Sequence, residues 1–164
     1  MIKPIINLNF IESGDFLEIK TLTYHDKHLW YKVAMYAKNC SWGTTGKYLS
    51  DRMKNNGFSD WERVFVALEN NTITGFCALS KTCSISNITY TPYIGFVFVG
   101  EQYRGNRISE KLCTSAIKYA KTIGFDKVYL YSDLVNFYEK YGFIKIDEKL
   151  APWGVNQSIY MCST

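Results

Sequence analysis

The sequence predicts one mixed α/β domain in which a mixed, mostly antiparallel sheet of about seven strands carries helices on both faces. Seven short segments have the apolar pattern of strands, and longer segments repeat apolar residues at helical spacing. Two of the strand segments are apolar on both faces, which is typical of strands that helices cover on both sides. The length of 164 residues fits a single domain that spans the chain.

The first quarter of the chain predicts an extension, a strand and two helices. Residues 1–14 lack a periodic pattern and are expected to form an N-terminal extension. Residues 16–23 alternate weakly and predict the first strand, whereas 26–40 repeat apolar residues at helical spacing. A second helix is expected over 45–54, where Asn55-Asn56-Gly57 ends it.

The middle of the chain predicts a hairpin followed by a buried strand. Strand segments Arg63–Glu69 and 72–79 flank Asn70-Asn71, a pair that favours a tight hairpin turn. Tyr93–Val99 is apolar on both faces and is expected in the middle of the sheet. Gly95 within it indicates a bulge, a close backbone approach or a packing gap.

The second half predicts a long helix and four shorter elements. Residues 106–123 carry an apolar stripe that ends at Gly124-Phe125, a typical helix C-terminus. The shorter elements are a doubly apolar strand, a helix capped by Asp133 and two final strands, at 128–131, 134–141, 143–149 and 157–162.

Composition excludes several classes of protein. No apolar stretch approaches the roughly 20 residues that span a bilayer, so we expect no membrane association. The five cysteines are scattered without a CxxC pair, so neither a metal site nor a disulfide framework is implied, and a reducing cytoplasm is the expected location. The net charge of +4 is dispersed, and a nucleic-acid-binding module has only the basic pI of 8.7 in its favour.

The segment 100–109 joins the buried strand to the long helix and has the features of an anion site. The first N–H groups of a helix have no partner within the helix, and Gly105 permits a tight turn and a close ligand approach. Arg104, Arg107 and Lys111 oppose the helix dipole there, and a bound pyrophosphate would make the arrangement favourable. A solvated basic turn without a ligand explains the local residues equally well.

A resemblance favours the first interpretation. The run Gln102-Tyr103-Arg104-Gly105-Asn106-Arg107 resembles the Q/R-x-x-G-x-G/A signature of the GNAT acetyltransferase superfamily. Phe137-Tyr138-Glu139-Lys140-Tyr141-Gly142-Phe143 is similar to the family's YEKxGF segment and follows a strand, as it does in the family. The resemblance is specific over 93–143. Arg107 departs from the second glycine, and we expect it still to donate its N–H if its φ is negative.

The resemblance implies that the chain is an acetyl-CoA-dependent N-acetyltransferase that needs no metal. The pantetheine arm of the cofactor would pair with the strand, and a backbone N–H near Val99 would stabilise the thioester oxyanion. The residues implied to bind the cofactor are Phe98, Val99, Gln102, Tyr103, Arg104, Gly105, Asn106, Arg107, Ile108, Ser109 and Asn136.

Tyr138 matches the family tyrosine that protonates the departing thiolate, although the same residue could belong to the core. The general base is not identified, since Glu62, Glu69 and Glu101 are weak candidates. His25 and His28 are expected at the surface.

In this family the acceptor pocket is built from the first helices and the last hairpin, which here carry Trp42, Tyr48, Trp61 and Trp153. Trp42 and Trp153 are expected to contact the amine, Trp61 to lie in the core, and Asp133 either to cap a helix or to bind an amine cation.

The resulting expectation is acetyl transfer to a primary amine of a small molecule or peptide, by direct attack in a ternary complex. The alternative is a non-catalytic acyl-CoA-binding sensor with the same fold. The acceptor, the length of the acyl group and the oligomeric state, a homodimer included, stay open.

Overall fold

One open sheet of seven strands, in the order β1-β2-β3-β4-β5-β7-β6, organises residues 16–86 and 89–164, which a computed structural model describes. The N-terminal extension expected over 1–14 lies outside these residues. The strands are β1 (Leu17–Leu22), β2 (Arg63–Glu69), β3 (Thr72–Ser80), β4 (Tyr93–Val99), β5 (Lys127–Ser132), β6 (Ile144–Leu150) and β7 (Asn156–Ser163). Adjacent strands run antiparallel except β4 and β5, which confirms a mixed, mostly antiparallel sheet.

Helices cover both faces of the sheet, as predicted. The helices are α1 (Lys27–Asn39), α2 (Thr44–Lys54) and α3 (Ile108–Thr122). Apolar residues of α1 and α2, such as Val33 and Leu49, pack with Val66 on what we call the α1/α2 face. Leu112 of α3 packs with Val128 on the opposite side, the α3 face. None of the helices in the described ranges combines the length and apolar composition that a bilayer crossing requires.

Two turns confirm the sequence analysis because their residue types match their backbone conformations. Asn70 and Asn71 have φ values of 48° and 64°, the left-handed conformation that a two-residue hairpin turn requires. Gly124 has a φ of 93°, and the N–H of Phe125 donates to the carbonyl of Ala120 at 3.0 Å, which closes the end of α3.

The helix predicted over 134–141 is wrong. Only Tyr138–Tyr141 form a helical turn, of the 3-10 type. Asn136 has a φ of 57°, which a right-handed helix cannot contain. Asp133 is exposed and caps nothing among the described residues; instead, the Ser132 hydroxyl accepts the N–H of Leu134 at 3.0 Å.

Strand β4 contains the bulge that Gly95 indicated. Phe76 and Ala78 of β3 face Phe98 and Gly95 respectively, so β4 has one extra residue over this stretch. The positive φ, 54°, falls on Phe96 rather than on the glycine.

On its other side, β4 pairs with β5 at one position only, Tyr93 with Tyr129, within the described strands. Backbone groups of β4 beyond Tyr93 therefore face an opening between the two strands, which we call the gap.

Glu62 joins α2 to the adjacent ends of β2 and β3. Its side chain is 6% exposed and accepts hydrogen bonds from Arg52 at 2.8 Å and from the backbone N–H groups of Ser59 and Lys81 at 2.7 Å each. Burial acts to raise the pKa of Glu62, but these three donors outweigh it and leave the pKa below its usual value. The role of Glu62 is structural, which removes it from the candidate bases.

Replacing this carboxylate is expected to destabilise the protein. Glu62→Gln should lower the free energy of unfolding at pH 7 by about 3 kcal/mol, since it leaves the part-buried Arg52 without its ion pair. Because the pKa is lower in the folded state, the stabilisation is complete above the unfolded pKa near 4.3 and is lost as the pH falls through the folded pKa. In urea unfolding experiments between pH 7 and pH 3, the free energy of unfolding should therefore decrease less with falling pH in the variant than in the unchanged protein. Glu69→Gln, at the other end of β2, is the control, and equal acid profiles in both variants would contradict the assignment.

Candidate functional site

A cavity of about 400 Å³ occupies the gap. Trp42 and Phe98, which belong to the α1/α2 face, form part of its wall, while Val97 and Val99 pack towards the α3 face. Since its walls come from both faces, the cavity passes through the sheet between β4 and β5. The described residues that line it are Trp42, Val97, Phe98, Val99, Arg104, Gly105, Arg107, Ile108, Ser109, Leu134, Phe137, Tyr138 and Tyr141.

The loop between β4 and α3 brings backbone donors to this cavity. Gly105 is exposed with a φ of 85°, and a Cβ built there would meet no atom within 4 Å. Helix α3 begins at Ile108, so the first N–H groups of the helix have no carbonyl partner within it. Ile108 and Ser109 both line the cavity. The arrangement is that of a helix N-terminus open to an anion.

Arg107 differs from the expectation. Its φ is 57°, so the condition of a negative φ is not met, and the residue adopts the left-handed conformation that suits glycine. Its guanidinium donates to both oxygens of Glu110, at 2.5 and 2.9 Å. Glu110 in the first turn of α3 thus holds the side chain beside the loop.

Arg104 is held by two groups at the end of β4. Its Nε donates to the carbonyl of Val99 at 3.1 Å, and its Nη2 donates to Glu101 at 3.1 Å. The carbonyl of Val99, which was expected to pair with a ligand, therefore already accepts one hydrogen bond. Both arginines lie at the cavity with more than half of each side chain exposed.

Tyr138 lies both in the core and at the wall of the cavity. It is 7% exposed within the core beneath α3 and it also lines the cavity. Burial raises the pKa of Tyr138 well above its usual value, with smaller contributions from Cys113 and Tyr141, so the phenol stays protonated at all physiological pH values. The same burial raises the pKa of the neighbouring Cys113 thiol to about 12.

Sequence reasoning missed four lining residues, Val97, Leu134, Phe137 and Tyr141. Tyr141 is the most informative, because its hydroxyl forms a 2.9 Å hydrogen bond with that of Ser109 and links the YEKYGF segment to the start of α3. Tyr141 occupies the variable position of the YEKxGF segment, and its place within that segment was the signal that could have identified it.

Several predicted residues do not line this cavity. Gln102 lines a second cavity, Tyr103 packs against the core beneath α3, and the Asn106 amide donates to the Tyr103 carbonyl at 3.2 Å. Asn136 and Asp133 are exposed.

The second cavity, of about 410 Å³, contains a candidate base that sequence analysis had considered. It lies against the C-terminal end of α1, and Glu101 is the carboxylate among its described lining residues. The Ser41 hydroxyl donates to Glu101, which is the main cause of a pKa below the usual value, and Arg104 also contributes. Glu101 is thus an ion-paired anion rather than an available base.

Titratable groups are sparse at the first cavity. None of its described lining residues is Asp, Glu or His, and both His25 and His28 are exposed elsewhere. Across residues 16–86 and 89–164, no three His, Cys, Asp or Glu side chains come together as a metal ion would need.

A comparison with models of protein families identifies one family. The profile of the acetyltransferase (GNAT) family matches residues 25–143. No curated protein matches the chain.

Solved structures share the fold. An acetyltransferase of the GNAT family from Streptococcus pneumoniae superposes with a TM-score of 0.62 at 16% identity, over 91% of this chain and 100% of that one. A chain of the NatC complex bound to Gag peptide and CoA gives 0.64 at 17%, over 90% and 98%. A protein assigned as a streptothricin acetyltransferase from Bacillus anthracis, in complex with acetyl coenzyme A, gives 0.53 at 23%, over 63% and 62%.

Proposed function

Because the chain belongs to the acetyltransferase (GNAT) family, we propose that it transfers an acetyl group from acetyl-CoA to a primary amine of a small molecule or peptide. Both substrates would be bound together, and the amine would attack the thioester directly.

The single observation that carries the proposal is the continuity between the loop and the gap. The open amides of 105–109 lie at one end of a cavity whose wall is the part of β4 that does not pair with β5. Helix N-termini bind phosphates, and unpaired strand backbone binds an extended amide-containing chain by strand addition. Coenzyme A has both parts in sequence, a diphosphate followed by a pantetheine arm.

Each of these groups has a separate role in the proposed reaction. The loop amides hold the diphosphate, and the backbone of β4 near Val99 orients the thioester and stabilises its developing oxyanion. The amine nitrogen forms a bond to the carbonyl carbon, the carbon–sulfur bond breaks, and Tyr138 donates its proton to the departing sulfur. Water accepts the proton that the amine loses, because no described lining residue is a carboxylate or histidine.

That lack of a base among the described lining residues favours a second candidate function, a sensor that binds acyl-CoA without turnover. Release of free thiol from acetyl-CoA, measured with a panel of primary amines, separates the two. Amine-dependent thiol release with formation of the acetylated amine supports the enzyme. Tight binding of acetyl-CoA by calorimetry without thiol release across the panel would establish the sensor instead.

A further inference from the structure

Aromatic side chains from four separate elements form two pairs beside the gap, next to the described residues that line the cavity but not among them. Tyr48 of α2 stacks on Phe96 of the β4 bulge with ring centroids 6.1 Å apart. Tyr131 of β5 contacts Trp153 of the β6–β7 turn at 6.0 Å. We call these four residues the aromatic mouth.

The two pairs flank the same opening. Strands β4 and β5 run parallel and align Tyr93 with Tyr129, so Tyr131 lies level with Gly95, across the gap from Phe96.

The mouth continues into the transfer cavity. Phe96 is joined directly to Val97, which lines the cavity. Trp42, another cavity residue, packs edge-on against Phe98 at 5.1 Å, on the same face of the sheet. A ligand that entered between the aromatic pairs would therefore reach the thioester end of the gap.

Two of the four rings of the aromatic mouth are largely exposed. Tyr48 is 60% exposed and Trp153 51%, whereas Phe96 and Tyr131 are half-buried. Contiguous exposed aromatic surface marks binding sites, and rings of this kind contact flat apolar groups and amines well.

Charge argues against a polycationic acceptor. The described residues that line the cavity include Arg104 and Arg107 and no carboxylate. Glu101 in the adjacent cavity is already paired with Arg104. A polyamine or an aminoglycoside would find no unpaired carboxylate among these residues, because Glu110 is likewise paired with Arg107, whereas one amine on an apolar body needs fewer counter-charges.

We propose that the acceptor is a primary amine carried on an aromatic or similarly flat apolar body, which the aromatic mouth binds. This inference rests on the proposed function, because it concerns the second substrate of the same site.

The test is calorimetry on the protein saturated with CoA. Because CoA carries no acetyl group, no transfer can occur during the titration. 2-Phenylethylamine is expected to bind at least 10-fold more tightly than n-propylamine or spermidine. Tyr48→Ala and Trp153→Ala should each weaken its binding at least 5-fold. Tyr31→Ala on α1 should leave it unchanged, since Tyr31 is 59% exposed, as Tyr48 is, but lies outside the mouth. Equal binding of the three amines, or equal effects of the Tyr48 and Tyr31 variants, would overturn the proposal.

Thiol release with the same amines separates this proposal from the one it rests on. Binding of 2-phenylethylamine that depends on Tyr48, without acetyl transfer to any amine, would refute the enzymatic function and retain the aromatic ligand. Transfer to spermidine or n-propylamine as efficient as transfer to 2-phenylethylamine would retain the enzyme and refute the aromatic acceptor.

Discussion

Gly105→Asp is expected to raise the Kd for CoA at least about 100-fold, a loss of about 2.7 kcal/mol. The carboxylate would lie at the open amides where the diphosphate is proposed to bind, in a cavity that Gly105 lines. The φ of 85° adds backbone strain, but a Cβ at this exposed position would meet no atom within 4 Å, so the fold should persist. Calorimetric titration with CoA measures the effect, and thermal unfolding confirms the fold.

Gly124→Asp is the matched control. Gly124 follows the other end of the same helix with a φ of 93°, and its added side chain would also meet nothing within 4 Å. The two substitutions therefore share the strain and the added charge but differ in their distance from the loop. If both variants lose CoA binding to the same extent, the loss reflects destabilisation and the loop assignment fails.

Tyr138→Phe is expected to lower kcat about 100-fold while changing the KM for acetyl-CoA less than about 3-fold. General acid catalysis typically contributes 10²- to 10⁴-fold, and loss of the hydroxyl removes the proposed proton donor while the buried ring stays in place. Steady-state kinetics at saturating amine provides both constants.

Two further tyrosines control for this result. Tyr141→Phe removes a cavity hydroxyl that bonds to Ser109, and Tyr93→Phe removes a buried hydroxyl that does not line the cavity. Each should reduce kcat less than about 3-fold. A larger loss in Tyr141→Phe than in Tyr138→Phe would transfer the role of acid to Tyr141, and full activity of Tyr138→Phe would assign that residue to the core alone.

The sequence predicted those parts of the fold that local residue types determine. The pair Asn70 and Asn71 predicted the hairpin turn in which it lies, because asparagine tolerates the left-handed conformation. Doubly apolar β4 was placed correctly in the middle of the sheet, since its pattern reflects burial on both faces. The prediction from local residue types was wrong at 134–141. The neighbours of Asn136 favour a helix, but the positive φ of Asn136 is incompatible with one.

Apart from Trp42, the candidate site was predicted only where residues are adjacent in the chain. The loop and Tyr138 lie within contiguous motifs, and the structure brings both to one cavity. The gap arises from the single paired position between β4 and β5 and has no local pattern, so tertiary structure was required to find it. Tyr48 and Trp153 were named from the sequence, but their partners in the aromatic mouth, Phe96 and Tyr131, were not.

Glu101 and Glu110, which form ion pairs with Arg104 and Arg107, would affect how coenzyme A leaves after the proposed reaction. Each guanidinium already has an anion, Glu101 or Glu110, so an arriving phosphate exchanges one counter-ion for another instead of neutralising a free charge. When the phosphate leaves, the internal partner takes its place again and compensates for the broken contact. In the proposed reaction, such an exchange would limit how tightly coenzyme A is retained and would favour rapid turnover over long occupancy.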